Sequence, residues 1–277
     1  MEIPSLLDLE QKALKATQQI FPCEKELLDK IPLDRIIESF QKDLKPDSNP
    51  FLVRVAGQSG SGKSSQLVPA LEEALKDKSY IKINVGKFAP FHPNFQKWQK
   101  ESPDQMRENT NGFALRSLVL FYKYCIENHI NIILDMTLLE PEIDLFLMHL
   151  AKENGYKVQM HVSCVPKKVS DYFIRARQIQ TGRFVRPSSS LYFFEALAPC
   201  LKALTHSGLF NRDDTLVLWS HFKTNPIQKT HLNNGAVLRI LNTYQMKKEH
   251  LKIKNPQRLL RLKIKWMNHF MWGWFNV

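Results

Sequence analysis

Residues 57–64 read Gly57-Gln58-Ser59-Gly60-Ser61-Gly62-Lys63-Ser64, a full G-x-x-x-x-G-K-[ST] phosphate-binding pattern. No other stretch restricts the fold as strongly. Such a loop works between the carboxyl end of a buried strand and the amino end of a helix, where backbone N–H groups and the helix dipole face one anion. Its flanks comply. Residues 51–56, Phe51-Leu52-Val53-Arg54-Val55-Ala56, are short, apolar and β-branched, as a buried parallel strand should be. Residues 65–75 place apolar side chains at helical spacing, with Pro69 in the first turn or two, where its missing N–H costs least.

The chemistry of the loop follows from its composition. Gly57, Gly60 and Gly62 let the backbone curl, so that the amides running from Gly57 through Gln58, Ser59, Ser61 and on to Ser65 converge on phosphate oxygens. Lys63 would reach the β- and γ-phosphates, and the Ser64 hydroxyl would ligate Mg²⁺. A nucleoside triphosphate, ATP or GTP, with Mg²⁺ is the expected cofactor.

Further strands are expected at 80–84, 131–134, 157–164 and 215–219, with helices at 111–128, 141–154, 167–181 and 189–206, the last bent at Pro199. Strands alternating with helices of this length predict an α/β P-loop NTPase fold, a doubly wound parallel sheet flanked by helices. Residues 5–46 read as short helices broken at Pro22 and Pro32, and residues 86–109 as a long polar connection. The chain thus divides into a helical N-terminal extension (1–50), a P-loop body (51–220) and a basic, aromatic C-terminal extension (221–277).

Charge separates the parts further. The chain carries +12, and residues 245–277 hold eight basic side chains against Glu249. Interleaved leucines and tryptophans there suit an anionic membrane surface or an acidic partner, or a terminal helix packed on the body. Nucleic acid is a weaker partner, since no binding module is recognisable. The four cysteines are scattered without metal-like spacing, which suits a reducing cytoplasm. Met1-Glu2-Ile3-Pro4 lacks the basic start of a signal peptide, and no run approaches the about 18 apolar residues of a membrane span.

Beyond the loop, Asp135 ends an apolar strand, where a carboxylate steadies hydrated Mg²⁺, and Thr137 would face the same crevice. Arg175, Arg177, Arg183 and Arg186 cluster around Gly182, and guanidinium groups brought to a transferring phosphoryl stabilise its charge. His92 would contact a substrate or fill the small core of its own loop, and Phe88, Phe95 and Trp98 read as loop packing.

These residues resemble the zeta-toxin family of P-loop kinases. The likeness rests on Gln58–Ser64, Phe88-x-x-x-His92-Pro93-Asn94-Phe95, Asn131-Ile132-Ile133-Leu134-Asp135-x-Thr137, Val165-Pro166-Lys167 and the arginine-bearing helix, in order from about Phe51 to Leu218. The resemblance implies phosphorylation of the sugar 3′-hydroxyl of UDP-N-acetylglucosamine, and restraint by a small helical antitoxin. It implies ATP and Mg²⁺ on Lys63 and Ser64, an acidic substrate contact at Asp135, a substrate-side Thr137, and phosphate contacts from Arg177 and from Arg183 or Arg186. The chain departs from the family pattern in two places, at the acidic residues before Phe88 and at an arginine after Thr137. The family's catalytic Asp, two residues before Phe88, is Gly86 here, with Asn84 at the neighbouring acidic position, and its arginine after the threonine is Leu139. Asp135 could then serve as base; otherwise the chain is a degenerate relative that binds ATP without turning it over.

Overall fold

In the computed structural model, β1 (Phe51–Gly57) is buried from Leu52 onward, as a strand covered on both faces must be. The structure describes residues 4–181, 185–209, 214–219 and 228–231. β1 lies inside a six-stranded sheet with β2 (Ile81–Ile83), β3 (Ile132–Asp135), β4 (Lys157–Ser163), β5 (Thr215–Trp219) and β6 (Gln228–His231), in the order β2-β3-β1-β4-β5-β6. The first five are parallel, and β6 pairs antiparallel with β5. The chain leaves β1 toward one edge and later crosses to the other, so the carboxyl end of β1 is the topological switch point, where α/β sheets bind ligands.

The described helices are α1 (Leu6–Ile20), α2 (Lys25–Leu28), α3 (Leu33–Phe40), α4 (Val68–Ala74), α5 (Phe95–Glu101), α6 (Pro103–Glu127), α7 (Pro141–Glu153), α8 (Lys167–Thr181), α9 (Pro187–Glu195) and α10 (Leu197–His206). Strand alternation sorts them into layers. Val53, Val55 and Ile133 face Leu67, Val68 and Leu71 at the start of α4. Leu52, Ala56, Ile132 and Leu134 face the larger core, which takes Leu9 and Ala13 from α1, Ile36 and Phe40 from α3, Phe121 from α6, Phe146 from α7 and Leu201 from α10. The N-terminal extension is therefore packed into the main core. Gly112 permits this where α6 passes the turn after α1: a Cβ there would stand 2.6 Å from the Phe21 carbonyl oxygen.

Three sequence expectations change. The polar connection at 86–109 is largely helical, with two 3₁₀ turns, α5, and an α6 that begins at Pro103 rather than 111. Pro103 occupies a first-turn position that needs no N–H, and Gln105, Met106, Arg107 and Glu108 are good helix formers despite lacking an apolar stripe. The expected bend at Pro199 is instead a break at Ala196, leaving Pro199 in the first turn of α10. The helix after the P-loop opens with a widened turn over Lys63–Leu67, where the Val68 N–H reaches back to the Lys63 carbonyl. Pro69 has no N–H to continue the tighter ladder at that point.

Among the described residues, no helix is long and apolar enough to cross a membrane. Arg183 and the basic segment 245–277 lie outside the described residues.

Candidate functional site

The P-loop is pinned from three sides. Gly57 sits at φ 134°, and a Cβ there would meet the Ser163 carbonyl oxygen at 2.1 Å. Gly60 has φ 70°, and a Cβ would stand 2.4 Å from the Ser170 carbonyl oxygen. Only glycine allows both the backbone angle and the close approach of β4 and α8. The Ser163 hydroxyl donates to the Ser61 carbonyl at 2.6 Å, the Ser170 hydroxyl to the Ser59 carbonyl at 2.5 Å, and the Gln58 amide to the Val165 carbonyl. These bonds hold the Ser59 and Ser61 carbonyls and the Gln58 side chain, and the Ser61 N–H closes a turn on the Gln58 carbonyl at 3.2 Å, so the curled backbone is set in the shape that cradles an anion. Ser163 and Ser170 were missed in the sequence because a serine on a strand or helix carries no signal of the loop it will meet.

Lys63 is nearly buried, its ammonium donating to the carbonyls of Gly57 at 2.7 Å and Gln58 at 2.9 Å. The Ser64 hydroxyl donates to Asp135 Oδ2 at 2.8 Å. Strand register explains this meeting across 71 residues: Val55 lies opposite Asp135, so β3 ends where the loop begins.

Behind Asp135 is a residue that sequence reading passed over. Arg54 belongs to an apolar strand yet is fully buried. Its guanidinium donates to the carbonyls of Val55 (2.7 Å), Met136 (2.5 Å) and Thr137 (3.4 Å), and pairs with Asp144 of α7 at 2.8 Å. The segment Asp135-Met136-Thr137 is thereby clamped from beneath, with Thr137 half-buried at the surface. Burial pushes the Asp144 carboxyl upward despite the opposing field of Arg54.

The arginines separate by geometry. Ser170 bonds the loop and Ile174 packs beside Gly60; Arg177 continues that i, i+4, i+7 stripe, so it lies on the loop-facing side of α8. Arg175 is off the stripe and exposed. Arg186, just before α9, forms an ion pair with Glu108 of α6.

His92 is buried, with its ring 4.7 Å from that of Trp98 and 4.9 Å from that of Phe113, and its Nδ1 accepts from the Asn94 N–H at 3.0 Å. Burial holds its imidazole pKa down. Phe88 is buried against Phe40 and Phe121. Gly86 is exposed in the turn after β2, and a Cβ there would meet only Asn84 Oδ1, at 3.2 Å. Leu139 is buried in the main core, and its carbonyl accepts from the Tyr192 hydroxyl at 2.9 Å.

Several known proteins are similar to this chain. An uncharacterised kinase of Schizosaccharomyces pombe, mug58, is 31% identical over 86 residues, 30% of this chain and 31% of that protein. Toxin PezT of Streptococcus pneumoniae is 23% identical over 138 residues, 50% of this chain and 54% of PezT. The match thus spans less than a third of one relative and just over half of the other. A solved structure from the PezAT chromosomal toxin-antitoxin system of Streptococcus pneumoniae superposes with a TM-score of 0.67 at 17% identity, covering 90% of this chain and 98% of that one, a likeness of fold. The family model described as Zeta toxin matches residues 36–224, a span that holds the P-loop, His92 and Asp135-x-Thr137. The chain belongs to the zeta toxin family.

Proposed function

We propose that the chain binds ATP in the P-loop and transfers its γ-phosphoryl group to a hydroxyl of a small substrate, the sugar 3′-hydroxyl of UDP-N-acetylglucosamine being the first candidate. The observation that carries this reading is the Ser64–Asp135 hydrogen bond at the mouth of a fully braced loop. A hydroxyl and a carboxylate side by side are hard oxygen donors that fit Mg²⁺. When bound, that ion neutralises charge on the β- and γ-oxygens.

The chain's own residues supply the rest. Lys63 exchanges two carbonyl partners for phosphate oxygens without leaving its buried position. Arg177 extends toward the same loop from α8 and would stabilise charge spreading over the transferring group. Arg183 and Arg186 would complete this from the α8–α9 segment, Arg186 after release from Glu108. Thr137 orients the acceptor from the Arg54 clamp, while His92 shapes the loop wall behind it. Asp135 takes the acceptor proton in place of the carboxylate that Gly86 lacks; a loose transition state asks more for positioning than for a strong base.

A toxin-antitoxin origin of the PezAT structure supports a small helical antitoxin as partner. A second reading, a degenerate relative that binds ATP without transfer, is favoured by Gly86 and by the burial of Leu139 in the core. The test is transfer from [γ-³²P]ATP to UDP-N-acetylglucosamine by the wild type and by Lys63→Ala. Labelled product from the wild type alone supports the kinase. Equal ATP affinity in the two proteins would overturn the P-loop as the nucleotide site.

A further inference from the structure

Away from the P-loop, the edge of β2 borders a groove of about 420 Å³ lined by Lys42, Lys45, Lys76, Lys78, Lys82 and Lys87. Asp43 is the one carboxylate in its lining. The lysines come from the segment after α3, the turn after α4, β2 and the turn beyond it, so no single helix face or basic run explains their convergence.

The walls are held from inside. Asn131, fully buried at the start of β3, donates to the Ser79 carbonyl and to Asp47 Oδ2, each at 2.9 Å, and accepts from the Phe51 N–H at 2.9 Å. One amide thus fixes the segment after Lys45 to the segment after Lys78. At the other end Lys87 donates to the Lys82 carbonyl at 2.7 Å and stands 5.2 Å from the centre of the Phe40 ring. Burial, and after it the charge of Lys82, hold the Lys87 pKa down against the opposing charges of Asp43 and Glu72.

The charge is only partly answered. Glu72 pairs with Lys82, and Glu73 with Lys76 in a mostly exposed pair of little strength. The ammonium groups of Lys42 and Lys45 have no hydrogen bond or ion pair among the described residues.

We propose that this groove is a second anion site, for a small ligand carrying several phosphate groups. Its volume suits a nucleotide-sized molecule. Single-stranded nucleic acid would need aromatic stacking platforms, and the one ring in the lining, Tyr80, is partly buried and packed against the smaller apolar core cluster. A membrane would need exposed apolar anchors, and among the described residues Leu7, Ile179 and Leu191, the exposed large hydrophobics, lie outside the groove.

The test uses the full chain carrying Lys63→Ala, so that the P-loop is silenced and the outcome is independent of the kinase reading. Calorimetric titration with tripolyphosphate, and separately with inositol hexakisphosphate, should show one saturable site weakened at least about tenfold by Lys42→Gln/Lys45→Gln/Lys78→Gln. These lysines are exposed, so the variant should keep the wild-type melting midpoint. Tighter binding of the linear or of the ring-borne phosphates identifies the ligand's source within the class. Three results would overturn the site: no saturable binding of either probe; equal weakening by Lys12→Gln/Lys15→Gln on α1; or groove substitutions that weaken a single-stranded RNA or a phosphatidylserine vesicle more than the small phosphates.

Discussion

Ser64 and Asp135 stand 71 positions apart and share a hydrogen bond of 2.8 Å. If the pair holds Mg²⁺, Asp135→Asn should weaken Mg²⁺-dependent ATP binding by about tenfold or more, as loss of a charged metal partner does. Binding in EDTA should be unchanged, and calorimetry with and without Mg²⁺ separates the two. The same residue scale governs His92. Its neutral form is favoured by burial, so its folded pKa lies below the ordinary value of about 6.5. The unfolded chain then takes up the proton first, and stability present above that value is lost as pH falls through it. His92→Phe should flatten this loss: the difference in urea midpoint between about pH 7 and about pH 5 should be smaller than in the wild type. An unchanged difference would assign the loss to other groups. Lys63, Ser64 and Asp135 were legible in the sequence because each follows from a motif or a strand end. His92 left two readings open, since sequence does not tell a loop's wall from its surface.

At the scale of elements, Arg54 shows what pattern reading passes over. A charged residue amid Leu52, Val53, Val55 and Ala56 carries no periodic signal, and its partner Asp144 lies on a helix 90 residues later. Together they fasten β1, the end of β3 and α7 around the candidate site. Arg54→Met should destabilise the protein by about 3–5 kcal/mol at neutral pH, because the buried Asp144 carboxylate loses its cationic partner. The loss should shrink in acid, where that carboxyl takes a proton, and should be smaller in Arg54→Met/Asp144→Leu. Urea denaturation of the three proteins at two pH values reads both effects. Helix α6 teaches a related lesson. Its first turns carry few apolar residues, and Gln105, Glu108 and Asn109 are exposed, so helix propensity rather than an apolar stripe carries the signal there. The break at Ala196 lies one turn before Pro199, which has no N–H to offer the Glu195 carbonyl, so the proline marks the interruption but not its exact place.

For the whole molecule, the parallel sheet and its five parallel strands were legible because buried strands are continuous apolar runs bounded by turns. The edge strand β6, Gln228–His231, is polar and was not expected. The site's outline was legible for the same reason as the sheet: a P-loop fixes the end of β1, and the next strand over must deliver its last residue beside it. What sequence could not give is the exposed turn at Gly86, where space, rather than residue type, decides whether a carboxylate can be restored. A Cβ at that position meets only the Asn84 side chain, at 3.2 Å. If the scaffold around the nucleotide is that of a working kinase, returning a base there should raise the rate by about 10²–10⁴. The measurement is single-turnover transfer from [γ-³²P]ATP to UDP-N-acetylglucosamine by the wild type, Gly86→Asp and Gly86→Asp/Lys63→Ala. Faster transfer in Gly86→Asp and its loss in the double variant are the expected result; rates for the wild type and Gly86→Asp no higher than that of the double variant would contradict a kinase scaffold around the nucleotide.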